Sequence, residues 1–285
     1  MPGGSGGVDE APNAARVRRR FVPGWCALIV TLLLLTGALV MLSNKLLYYP
    51  QTVPLAALLA DARQHRLTPW PNADQDYRGL LREPAGSARA TLVLFHGNAG
   101  HAGQRDDYAD QLSGLGLRVI LAEYPGYGAR PGSVGEASLV SDAAVTLALA
   151  RHAFSEPLIV AGESLGAGVA AAVATSADAS AVLLITPWDR LASIARHHYS
   201  WLPTGWLLRD RYDSVANLAG YGGRVAVVIA GRDRIVPPEY GRRLFASLGS
   251  NKRLWTIPDS GHNDWTAGVD PAWWSSLADF LLDPD

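Results

Sequence analysis

The chain predicts an α/β fold: a mostly parallel central sheet with helices on both faces, preceded by one N-terminal transmembrane helix. Three observations carry this expectation. Short, uninterrupted apolar runs recur at 91–96 (TLVLFH), 118–124 (RVILAEY), 157–162 (PLIVAG), 181–186 (AVLLIT), 224–231 (RVAVVIAG) and 253–258 (RLWTIP). Runs of this length are the pattern of strands buried on both faces. Ala-rich stretches of helical spacing, among them Glu136–Arg151 and Leu165–Thr175, lie between them, and strand–helix–strand repetition builds a parallel sheet. Ahead of all this, residues 21–44 carry no charge at all.

Composition narrows the classes. With 285 residues and 48% hydrophobic side chains the chain can bury a full core in one large domain. A net charge of −1 leaves no electrostatic footprint for nucleic acid. One cysteine, Cys26, excludes an internal disulfide. Neither C-x-x-C nor H-E-x-x-H occurs, so no zinc site is expected, and nothing points to another cofactor.

The elements follow in order. Residues 1–20 read as a flexible basic tail that ends on Arg16, Arg18, Arg19 and Arg20. Residues 21–44 read as the transmembrane segment; as a helix these uncharged residues would span ~36 Å, enough for a bilayer core. Thr31 and Thr36 are the only non-glycine polar side chains between Phe21 and Leu42, whereas a soluble core helix would show polar positions at 3.6-residue spacing. A cleaved signal peptide is the rival reading, with Thr36-Gly37-Ala38 as its cleavage site, although such apolar regions are normally ~7–15 residues long. Arginines before the span and only Lys45 just after it put the N-terminus in the cytoplasm and the catalytic domain on the outer side. Residues 45–285 then form that domain, with 187–222 as a short helical flap.

In parallel sheets of this type ligands bind at the carboxyl ends of strands. One such end contains Gly162-Glu163-Ser164-Leu165-Gly166 between a strand and a helix. A serine on so sharp a turn needs small neighbours two residues either side, because a Cβ there would strike the strand or the helix. Ser133, in PGSVG, lacks the first glycine and a preceding strand, and reads as a loop residue. The serine needs a base, and the base needs an orienting acid. Of seven histidines, His262 follows the last strand, and Asp233 follows the one before it. Ser164, Asp233 and His262 are the set that places nucleophile, acid and base each after its own strand. Asp189 is the reserve acid, otherwise an N-cap for the helix after it. Asp259 and Asp264 read as turn residues.

LLYYPQ, LVLFHGNAG, EYPGYGARPGSVGE, GESLGAG, WLPTGWLLRDRYDS, AGRDRIVP and the closing SGH together resemble the α/β-hydrolase superfamily over residues 46 to 280. They are most similar to its membrane-anchored branch of abhydrolase-domain lipases and thioesterases and their bacterial relatives. The resemblance implies a serine hydrolase with Ser164 as nucleophile, His262 as base and Asp233 as acid. It further implies an oxyanion hole of two backbone N–H groups, from Leu165 and from Asn98 in the H-G-x loop. One departure matters: the depalmitoylases of that branch carry an N-terminal cysteine cluster and no span, and here there is only Cys26, so that role is not expected.

His96 in HGNAG then packs and bonds within its loop instead of acting as base. The expected substrate is a small-molecule or lipid acyl ester or thioester. Trp188, Tyr199, Trp201, Trp206, Trp265, Trp273 and Trp274 are packing residues, or, for the 188–206 group, the lining of an acyl pocket. An amidase or peptidase of the same fold is one alternative, and a membrane-tethered binding protein without turnover is another. The oligomeric state is not legible.

Overall fold

Each predicted strand forms, within two residues of its expected ends. In the computed structural model these are β4 (Ala90–Phe95), β6 (Leu117–Ala122), β7 (Leu158–Glu163), β8 (Ala181–Ile185), β9 (Arg224–Ala230) and β10 (Lys252–Ile257). Four shorter strands join them: β1 (Tyr49–Pro50), β2 (Thr68–Trp70), β3 (Gly79–Arg82) and β5 (Ala99–Gly100). The structure describes residues 3–4, 24–72, 76–201 and 208–283. Most of the predicted basic tail, residues 21–23 of the predicted span, and Trp206 of the flap lie outside the described residues.

Eight strands form one sheet in the order β10-β9-β8-β7-β4-β6-β3-β2. All pairs are parallel except β2 with β3 and β3 with β6, as the fold class requires. The antiparallel edge was not legible because two- to four-residue strands carry too few residues for a periodic signal.

Alternation along the strands sends successive residues to opposite faces. Val93 and Phe95, with Ile120 and Ala122, join one buried cluster, and Leu92 and Leu94, with Val119 and Leu121, join the other. Helices α4 (Glu136–Ala153) and α5 (Leu165–Val173) pack on the first face. Helices α2 (Leu55–Gln64) and α3 (Asp106–Gly114) pack on the second. The flap region contributes α6 (Leu191–His198) and the short α7 (Ser214–Asn217); α8 (Pro238–Ser247) and α9 (Pro271–Leu282) complete the two layers.

Residues 1–39 and 40–285 are two compact units. Helix α1 runs from Gly24 to Leu47; Leu28, Leu32, Leu33, Leu34 and Leu35 are exposed, Leu34 to 69%, while Leu47 packs partly buried against the core. Among the described residues no helix is long and apolar enough to cross a membrane; part of α1 is without described side chains. Past α1, the chain is bound to the loop after β4. Strand β1 pairs in parallel with β5, Tyr49 N–H donates to the Asn98 carbonyl at 2.9 Å, and the Asn98 amide donates to the Leu47 carbonyl at 3.1 Å.

Candidate active site

Ser164 sits between β7 and α5 at φ +54° and ψ −113°, a conformation that costs an L-residue roughly 1–3 kcal/mol. The surrounding backbone enforces it. The Ser164 N–H donates to the Ile185 carbonyl at 2.9 Å, and a Cβ at Gly162 would collide with the Gly166 backbone. A Cβ at Gly166 would strike the Phe95 carbonyl. Both glycines are therefore required by close approach, as the turn sterics predicted.

Asp233 and His262 reach this serine from the ends of β9 and β10. His262 Nε2 lies 2.9 Å from Ser164 Oγ, and His262 Nδ1 lies 2.6 Å from Asp233 Oδ2. A carboxylate only accepts, so the proton of neutral His262 sits on Nδ1 and leaves the Nε2 lone pair for the serine hydroxyl. The acid is itself held: Asp233 Oδ1 accepts the N–H groups of Ile235 and Val236, each at 2.8 Å. All three side chains are largely removed from water. The structure thus brings together the three residues that chain order selected.

Other candidates settle elsewhere. Asp189 is buried and accepts from the Arg190 N–H at 2.7 Å, while His262 is engaged by Asp233. Nor does Asp189 cap α6, because Arg190 holds the N-cap position and contributes no side-chain cap. Ser133 is exposed in irregular chain. Asp264 accepts the Gly261 N–H at 2.6 Å, and Asp259 pairs with Arg232 at 2.5 Å, both in turns. Leu165 opens α5, where the first N–H groups have no intrahelical acceptor. The Asn98 carbonyl accepts the Tyr127 hydroxyl at 2.9 Å as well as the Tyr49 N–H, which pins the loop from two elements.

His96 does hold its loop. Its Nδ1 lies 2.8 Å from the Gly97 carbonyl and its Nε2 3.0 Å from Glu123 Oε1. Glu123, which sequence reasoning passed over, is buried under the loop after β4, and its Oε2 accepts the Ala102 N–H at 3.1 Å. Its position one residue past β6 is the one signal that could have found it. Arg105, Tyr108 and Glu163 were also missed: Glu163 accepts from Arg105 Nε at 2.6 Å and from the Tyr108 hydroxyl at 3.0 Å. Burial opposes the Arg105 charge, but Glu163 outweighs it and holds the guanidinium above its ordinary value.

The aromatic residues separate by place. Trp188 is buried in the core, Trp201 is 78% exposed, and Trp265, Trp273 and Trp274 pack against one another in tilted and edge-on contacts. A cavity of about 430 Å³ lies beside the sharp strand-to-helix turn at Ser164, the elbow, walled by residues of the β4 loop, Glu163 and Asn263. Among the described residues no group of three His, Cys, Asp or Glu side chains is gathered to hold a metal ion.

Known proteins similar to this chain include hydrolases. A family model described as serine aminopeptidase, S33 matches residues 86–214. The protein Rv2307c of Mycobacterium tuberculosis is 34% identical over 226 residues, covering 78% of this chain and 80% of its own. The lysophosphatidylserine lipase ABHD12 of Danio rerio is 28% identical over 189 residues, 59% of this chain and half of its own. Among solved structures, the Pyrococcus furiosus esterase Pf2001 superposes with a TM-score of 0.62 at 16% identity, covering 82% of this chain and 96% of the esterase.

Proposed function

The chain belongs to the α/β-hydrolase superfamily, and we propose that within it this protein is a membrane-anchored serine hydrolase that cleaves carboxylic esters or thioesters. The observation that carries this reading is the continuous hydrogen-bond chain from Ser164 through His262 to Asp233. Such a chain activates an otherwise weak nucleophile.

In the proposed reaction Ser164 Oγ attacks the acyl carbonyl while His262 Nε2 takes its proton, and Asp233 stabilises the imidazolium. The backbone N–H groups of Asn98 and Leu165 hold the oxyanion, where loss of one donor typically costs ~3 kcal/mol of transition-state stabilisation. His262 then returns the proton to the departing alcohol or thiol, leaving an acyl group on Ser164. Water, deprotonated by the same histidine, releases the acid and regenerates the serine. No cofactor takes part in these steps.

The uncharged sequence from 21 to 44 and the exposed leucines of α1 support the anchor. The arginines before it support a catalytic domain on the outer side of the membrane. Retention in the pellet after alkaline extraction tests the anchor, and protease accessibility in sealed vesicles tests the side. A chain whose mature N-terminus begins beyond residue 38 would instead establish signal cleavage.

A fluorophosphonate probe tests the chemistry: the folded protein should label, and Ser164→Ala should not. Folded wild-type protein that takes no label would sink the hydrolase reading and favour a tethered binding protein. The matching family's description as a serine aminopeptidase supports a second reading, an amidase or peptidase. A panel of p-nitrophenyl esters beside aminoacyl amides separates the two.

A further inference from the structure

The cavity beside the elbow touches chain neighbours of three site residues: Ala99 and Gly100 after Asn98, Glu163 before Ser164, and Asn263 after His262. Most of its lining side chains are polar. Gln51 and Gln104 meet across it at 2.9 Å. Arg105 and Asp107 line it as well, with Arg105 tied to Glu163. A carbon placed on Gly97 would lie 3.7 Å from Ser164 Cβ and 3.8 Å from Arg105 Nη2, so nucleophile and guanidinium border the same small space.

The cavity extends toward the chain after His262, and His262 must hand its proton to the departing alcohol. The alcohol portion of the ester is therefore the part that faces these groups. The fixed charges there are one positive, Arg105, and two negative, Glu163 and Asp107. Two carboxylates against one guanidinium leave the lining with no net positive charge.

Resting on the hydrolase reading above, we infer that this cavity is an alcohol-side subsite that selects hydroxyl-bearing, uncharged leaving groups and rejects anionic ones, with the Arg105–Glu163 pair as its specificity-determining element. Glu163 neutralises the one cation that would otherwise attract a carboxylate or phosphate beside Ser164. Gln51, Gln104 and Asn263 supply hydrogen-bonding partners for hydroxyl groups.

The test uses the full chain in detergent and three hexanoate esters of matched size: 2-hydroxyethyl, ethyl and carboxymethyl. Wild-type kcat/KM should favour the 2-hydroxyethyl over the carboxymethyl ester by about ten-fold, with the ethyl ester between them. Glu163→Gln keeps an acceptor for Tyr108 but frees the Arg105 charge, and should raise the carboxymethyl-to-hydroxyethyl ratio by about ten-fold. Arg105→Gln should lower that ratio. Asp107→Asn, farther from the elbow, should shift it as Glu163→Gln does and carries the test if the latter does not fold. A wild type that prefers the carboxymethyl ester, or variants that label normally with fluorophosphonate and leave the ratio unmoved, would overturn the subsite alone. Absence of label on folded wild-type protein would instead overturn the hydrolase reading on which the subsite rests.

Discussion

Asp233 shows how one side chain joins two functions. Its Oδ1 closes the turn after β9 through Ile235 and Val236, and its Oδ2 orients His262. Asp233→Asn keeps the turn acceptor but presents an amide donor to His262 Nδ1, which selects the wrong tautomer. We expect kcat on an activated ester to fall by about 10⁴-fold, with a melting temperature near that of the wild type; an unchanged kcat would remove Asp233 from the proposed catalytic set. His101 provides a pH-dependent case. Burial lowers its pKa from 6.5, and its Nδ1 finds no hydrogen-bond partner among the described residues. Between the lowered value and about 6.5 the unfolded chain binds a proton that the folded chain does not. Stability contributed here is therefore present above that window and falls as pH drops through it. Urea midpoints between about pH 7 and pH 5 should decline less steeply in His101→Gln than in the wild type.

The element with the least expected role is the segment after α1. Leu47 and Tyr49 bond to both ends of Asn98, and Tyr48 donates to Asp210 at 2.6 Å beside Tyr212. Removing residues 1–44 leaves these contacts in place, and the truncated chain should be soluble and active. Removing residues 1–53 deletes β1 and frees the loop that supplies the proposed oxyanion donor. That longer deletion should lose kcat far more than the shorter one, read with the same p-nitrophenyl ester; equal activities would show that β1 does not position the loop. The loop after β6 is held in a related way, by Asp142, which pairs with Arg78 at 2.8 Å and with Arg130 at 2.6 Å. Asp142→Ala strands two largely buried guanidinium groups and should cost ~3–5 kcal/mol in denaturant unfolding.

At the scale of the whole domain, the elbow brings helix and sheet into backbone contact. Gly166 of α5 lies against the Phe95 carbonyl at the end of β4, so the helix can dock only without a side chain there. Gly166→Ala forces α5 off the sheet. It should cost about 3 kcal/mol or more, since the layers are packed too densely to absorb a methyl group against backbone. Thermal unfolding of the truncated domain measures this directly, and a wild-type melting temperature would mean that α5 can shift freely.

The six long strands, the elbow and the order nucleophile–acid–base were legible in the sequence alone. Each depends on local physics: continuous apolar runs mark strands buried on both faces, and glycines two residues either side of a serine mark a turn with no room for a Cβ. The short antiparallel edge, Glu123 beneath His96, the Arg105–Glu163 pair and the clasp of Tyr49 on Asn98 carried no such signal. The bonds of these last three join residues 27, 58 and about 49 positions apart in the chain, and which residues meet is set by strand order and helix placement. The same physics acts on Trp188: its sequence allowed packing or a pocket wall, and the packing of the flap on the sheet put it in the core. The sequence determined which residues could do the chemistry; the tertiary structure decided what surrounds them, because a polar cavity wall is a property of neighbours in space and not of neighbours along the chain.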